Sequence, residues 1–101
     1  MKERVVKLEQ GKQNKKYTAH IKHKQTHKMR RLSFGDKNYQ QFKDRTPLQL
    51  YKHLNHGDRR RMKNYYSRHS GVKTRKAGIT KEKKKSKGCY TPKLLSHIYL
   101  W

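Results

Sequence analysis

Residues 17–34 read YTAHIKHKQTHKMRRLSF, and this stretch decides the fold. Tyr17, Ala19 and Ile21 alternate with Thr18, His20 and Lys22, the period of a half-buried strand. Leu32 and Phe34 alternate in the same way with Arg31 and Ser33, and Gly35 ends the run. The polar Lys24-Gln25-Thr26-His27 between the runs suits a hairpin loop, with no Asn-Gly to fix its type. The reading predicts a β-hairpin over about 17–34.

Downstream, Thr46-Pro47 is an N-cap and first-turn pair, and it predicts a helix over about 47–55 that stops before Gly57. Asp58 can cap a second helix over about 58–70. There Met62, Tyr65, Tyr66 and His69 share one face at i, i+3, i+4 and i+7, and Gly71 is a natural stop. Such a stripe is expected to pack on the hairpin rather than to serve as a base-stacking platform. Thr91-Pro92 repeats the cap-plus-Pro start for a helix over about 92–100, whose Leu94, Leu95, Ile98 and Tyr99 form a stripe ending near Trp101. That end is expected to dock on the hairpin.

The remainder reads as arms. Residues 1–16 hold one short apolar patch, Val5, Val6 and Leu8, of unclear period, which fits a short strand or a basic N-terminal arm. Residues 72–88, VKTRKAGITKEKKKSKG, offer only Val72 and Ile79 as anchors and read as a basic linker or arm. The organisation expected is an arm over 1–16, a core over 17–71, a linker over 72–88 and a docking helix within 89–101. The class is a small α+β fold.

Charge dominates the 101 residues. Twenty-nine Lys and Arg face six Asp and Glu, a net charge of +23 with seven His neutral. Leu, Ile, Val and Phe number sixteen; a share below roughly 20% at such charge is the mark of disorder. So few apolar residues leave little room for a catalytically precise globule, and they must concentrate if a core is to form at all. No run of about eighteen apolar residues exists to span a membrane, and the first residues lack the apolar segment of a secretory signal. The single Cys89 excludes an internal disulfide.

Catalysis finds little support. Asp58 is a helix cap, Asp36 follows the strand-ending glycine, and Asp44 precedes Thr46-Pro47. Glu3, Glu9 and Glu82 sit among cations as screened partners, and no two carboxylates are spaced as an acid and base pair. Cys89 near Lys87, with His97 on the next helix, is a weak nucleophile candidate. For zinc, His20 and His23 point to opposite faces of a strand. His53 and His56 with Cys89 and His97 form only a weak set that matches no ligand template. No cofactor is expected.

Polyanion binding is the class that the charge favours. Its candidates are Lys12, Lys15 and Lys16; Arg59, Arg60, Arg61 and Lys63; and Lys81, Lys83, Lys84, Lys85 and Lys87. The last cluster is similar to a nuclear localisation signal. No base-reading motif accompanies these residues, so phosphate contact without sequence readout is expected; acidic protein surfaces satisfy the same charges.

A set of residues also carries a resemblance. Phe34-Gly35, Tyr39, Phe42 and Asp44, His53-Leu54-Asn55-His56 with Asp58, Tyr65-Tyr66 with Arg68-His69, and Leu95 with Leu100-Trp101 resemble a small basic family of unknown function. That family occurs in nucleocytoplasmic large DNA viruses of algae and amoebae. The resemblance spans about residues 17–101 and leaves out the first sixteen. It implies residence in the virion, or in a virus factory or nucleus during assembly, and supplies no activity and no catalytic residues. The function expected is that of a non-catalytic minor capsid protein, a glue held in a hetero-assembly by acidic surfaces of other virion proteins. Sequence-independent binding and condensing of viral DNA is the alternative, and ribosome-associated RNA binding is a third.

Overall fold

The hairpin forms, and it gains a third strand. In the computed structural model, which describes residues 1–101, strands β1 (Glu3–Gln10), β2 (Lys15–His23) and β3 (Met29–Asp36) make one antiparallel sheet in the order β1-β2-β3. Tyr17 pairs with Phe34 and Ala19 with Leu32 across β2 and β3. The alternation read from the sequence is the burial pattern: Tyr17, Ala19, Ile21 and Phe34 are buried on one face. His23 shapes the hairpin loop, its Nδ1 accepting from the backbone of Gln25 and Thr26.

Residues 1–16 are therefore not an arm. β1 pairs with β2 along its length, but the register shifts between Val5 and Lys7. This bulge lets Val5 and Leu8 pack on the core while Val6 turns outward, which explains why no period was visible. Glu3 anchors the strand: Arg30 of β3 donates to both its carboxylate oxygens at 2.7 Å, and the Tyr90 amide adds a third bond at 2.8 Å.

Helix α1 (Arg59–Ser70) starts and stops where expected. Asp58 accepts from the amides of Arg60 and Arg61, and Gly71 closes the helix in the left-handed conformation. Helix α3 (Pro92–Tyr99) is capped by Thr91, with Pro92 in its first turn. Between them lies a helix that was not expected. Residues 75–85 of the supposed linker form α2 (Arg75–Lys85), capped by Thr74.

The helix expected over 47–55 does not form. Thr46 Oγ1 does accept from the Gln49 amide, as a cap should. Distant groups then capture the next donors: Tyr17 OH takes the Leu50 amide and Asp44 the Tyr51 amide. Gln49 adopts a positive φ of 47°, and only one 3-10 turn follows, Lys52–Leu54.

The layering also departs from expectation. Neither α1 nor α2 packs on the sheet; α3 alone lies against β3 and carries α2 on its other side. Leu95 and Leu100 complete the apolar core on the sheet side. On the other side Tyr66 of α1 is buried, its hydroxyl donating to the His97 carbonyl of α3. The aromatic stripe of α1 thus packs on helices and not on the hairpin. No helix is long and apolar enough to cross a membrane.

A candidate polyanion interface

Every carboxylate in the chain is engaged by the fold. Glu3 is buried under Arg30, and that guanidinium holds its carboxyl below the usual range. Asp44 is buried and accepts from Tyr17 OH, from the amide and hydroxyl of Thr46, and from the Tyr51 amide. Asp36 accepts from the Asn38 amide, Asp58 caps α1, and Glu9 pairs with His20 at 2.8 Å. Glu82 is buried and accepts from Ser70 Oγ at 3.2 Å. Glu3 and Glu82 are thus interior groups and not the screened surface partners expected of them. Among the lysines and arginines, Arg30 alone makes an ion pair. A soluble surface ordinarily mixes both signs. This one presents cations with almost no fixed counter-charge.

The expected clusters are exposed, with one exception. Lys12 and Lys15 flank the β1–β2 turn, Arg59, Arg60, Arg61 and Lys63 line α1, and Lys83, Lys84 and Lys85 close α2 ahead of Lys87. Lys16 is the exception. It is 1% exposed, and its ammonium donates to the Tyr39 carbonyl at 2.7 Å and to Gln41 Oε1. Burial pushes it down to about 8 against the pull of Asp36 and Asp44. Lys16 holds a turn together, its ammonium committed to two oxygens of the fold. Lys81 is partly committed as well, donating to the Ser70 carbonyl at 2.6 Å.

The exposed cations converge in one place with aromatic rings. An open groove of about 820 Å³ runs between the ends of β2 and β3, the turn after β3, and helices α1 and α3. Lys15, Arg61, Arg68 and Lys93 bring charge to it, and Tyr39, Tyr65 and Trp101 bring rings. Trp101 stacks on Tyr65 with centroids 4.3 Å apart and planes 3° from parallel. Arg61 donates to Gln40 Oε1 at 2.8 Å, which ties the turn to α1.

Eight residues singled out by the family resemblance meet here: Phe34, Gly35, Tyr39, Tyr65, Arg68, His69, Leu100 and Trp101. His56 backs Trp101 at 5.2 Å, while His53 is exposed elsewhere, Asp58 is a cap and Tyr66 lies in the interior. Charge density alone also found Lys15 and Arg61. Lys93 was missed, because a single lysine beside a helix-starting proline carries no signal in the sequence.

The weak zinc set is not assembled. His53, His56, Cys89 and His97 belong to no group of three or more ligating side chains. His97 has both ring nitrogens occupied, Nδ1 by Tyr65 OH at 2.8 Å and Nε2 by Ser70 Oγ at 2.7 Å, so it has no nitrogen to offer Cys89 as a base.

His97 also couples stability to pH. Burial pushes its imidazole down from 6.5 to about 4, against the pull of Glu82, with His69, Lys93 and Arg75 opposing the charge further. Between those values the unfolded chain binds a proton that the folded chain refuses, so stability falls as pH drops through that window. The full window corresponds to about 3 kcal/mol. Urea unfolding at pH 7 and at pH 4.5 is expected to show most of this loss, and His97→Gln should flatten the profile. An unchanged slope in that variant would assign the acid sensitivity elsewhere.

No family model, no curated protein and no solved structure matches the chain.

Proposed function

We propose that this chain is a non-catalytic packing protein that binds nucleic-acid phosphates without reading sequence, within the particle of a large DNA virus. The observation that carries the reading is that all six acidic side chains are hydrogen-bonded within the fold, three of them buried, so a chain of net charge +23 presents its cations with almost no fixed counter-charge. A surface of this kind attracts any polyanion. Nucleic acid leads over acidic protein because the main groove sets aromatic rings among its cations, and a carboxylate partner has no use for rings.

Binding to duplex DNA is expected to weaken steeply with salt. Contact with about eight phosphates gives a slope of about −7 in log K against log salt concentration. Fluorescence anisotropy across a salt series measures it, and a flat dependence would overturn the reading.

A second reading, the minor capsid glue, is favoured by one further observation. A smaller basic depression of about 210 Å³, with Arg4, Lys22 and Lys24, lies at the hairpin tip. It sits at the opposite end of β2 from the main groove, about 25 Å away at strand rise. Two separated basic sites suit a body that bridges two anionic partners. Retention on particles emptied by nuclease and moderate salt would support the capsid role, and release with the nucleoprotein would support the genome-packing role.

A further inference from the structure

We infer that the main groove is a base-stacking subsite for single-stranded nucleic acid, with Tyr39 as its platform; this rests on the nucleic-acid reading above. Tyr39 is 69% exposed, and its ring has neither an aromatic partner nor a hydrogen bond. An exposed tyrosine on a floppy loop would mean little. Here the backbone is pinned: the Tyr39 amide donates to the Asp36 carbonyl, the Asn38 amide to the Asp36 carboxylate, and the Tyr39 carbonyl accepts the buried ammonium of Lys16. A buried lysine is an uncommon means of holding a turn. Its effect is to fix the backbone that carries the ring, so that only the side chain's rotamer freedom is left to lose on binding.

The surroundings supply the charge. Lys15 and Arg68 have no side-chain partner, while Arg61 and Lys93 donate only to the neutral oxygens of Gln40 and His69. Asp36, the one acidic side chain at the rim, already accepts from the Asn38 amide. A volume of about 820 Å³ falls within the range that small ligands fill, so it takes a nucleotide or two and not a double helix. Bases in a duplex are already stacked on one another and cannot reach the ring. A single strand can offer a base to Tyr39 while its phosphates meet the four cations. Acidic polypeptide, the competing occupant, gains from the cations, while its carboxylates gain nothing from the π-face of the ring.

The test compares a labelled oligothymidylate of about twelve nucleotides with an abasic strand of equal length, a duplex, and a poly-glutamate peptide. The oligothymidylate is expected to bind roughly tenfold tighter than the abasic strand. Tyr39→Ala should erase that difference while leaving abasic affinity unchanged, and Tyr39→Phe should retain it. Equal binding of the two strands, or a Tyr39→Ala loss shared by both, would overturn the stacking subsite while leaving phosphate binding intact. Poly-glutamate binding as tight as the oligothymidylate would overturn it in favour of a protein partner. If nothing binds, the nucleic-acid reading itself fails. Because the Tyr39 side chain is 69% exposed and lies outside the buried core cluster, circular dichroism of Tyr39→Ala should match the parent.

Discussion

Asp44→Ala is expected to destabilise the protein by about 4 kcal/mol, a large share of what a domain of this size possesses. The carboxylate is 1% exposed and accepts from Tyr17 OH, the Thr46 amide and hydroxyl, and the Tyr51 amide. Alanine strands these donors in the interior, where each unmade bond costs about 1–3 kcal/mol. It also removes a negative charge that favours the buried Lys16 ammonium. Asp44→Asn should fall between, because one amide oxygen can still serve Thr46 while the new NH2 group faces donors. Urea midpoints measure the series. An alanine variant within about 1 kcal/mol of the parent would show that the turn reorganises at little cost.

Gly78→Ala carries the second large effect, and its sign is the informative part. In an ordinary helix interior the change stabilises by about 1 kcal/mol. Here a methyl at residue 78 would stand 2.4 Å from Cδ1 of Tyr66 and 2.9 Å from its Cε1. The ring cannot swing aside, being wholly buried with its hydroxyl bonded to the His97 carbonyl. Overpacking of this kind costs about 1–3 kcal/mol, and the contact is severe enough to place the expected net loss near 2. Placing Gly78→Ala in a Tyr66→Val background should cancel most of the penalty, as a double-mutant cycle would reveal. A stabilised single variant would mean that α1 and α2 can separate without loss.

Gly78 also shows why part of the fold was illegible in the sequence. The face that α2 buries is Arg75, Gly78, Ile79 and Glu82, at i, i+3, i+4 and i+7. That is a helical stripe, but three of its four members are not apolar, so hydrophobic periodicity is silent over 72–88. Arg75 reaches the Ile98 carbonyl, and Glu82 takes Ser70 Oγ. The segment is therefore held by polar contacts that only the folded partners reveal. β1 was obscured differently, since a bulge at Val6 breaks the alternation on which strand reading depends. At Thr46-Pro47 the local signal was real, and the cap bond forms, but Tyr17 and Asp44 outcompete the helix for its next donors.

The hairpin, α1 and α3 were legible because their signals are local and agree with their burial. Of the groove, the cations Lys15 and Arg61 and the aromatic residues were visible separately. Their meeting was not, because it depends on α3 bringing Lys93 and Trp101 beside a turn some fifty residues earlier in the chain.

The place of α3 has a consequence for the order in which the molecule can be made. The sheet and the α1–α2 pair are produced first, yet neither packs on the other; both wait for residues 92–101. Domains generally fold during synthesis as their parts emerge. Here each half would leave the ribosome with an unfilled face, Phe34 on one side and Tyr66 on the other. The growing chain is thus a mobile polycation beside ribosomal RNA until residues 92–101 appear. A nascent chain halted before Pro92 should stay open to protease, whereas one extended past Trp101 should resist.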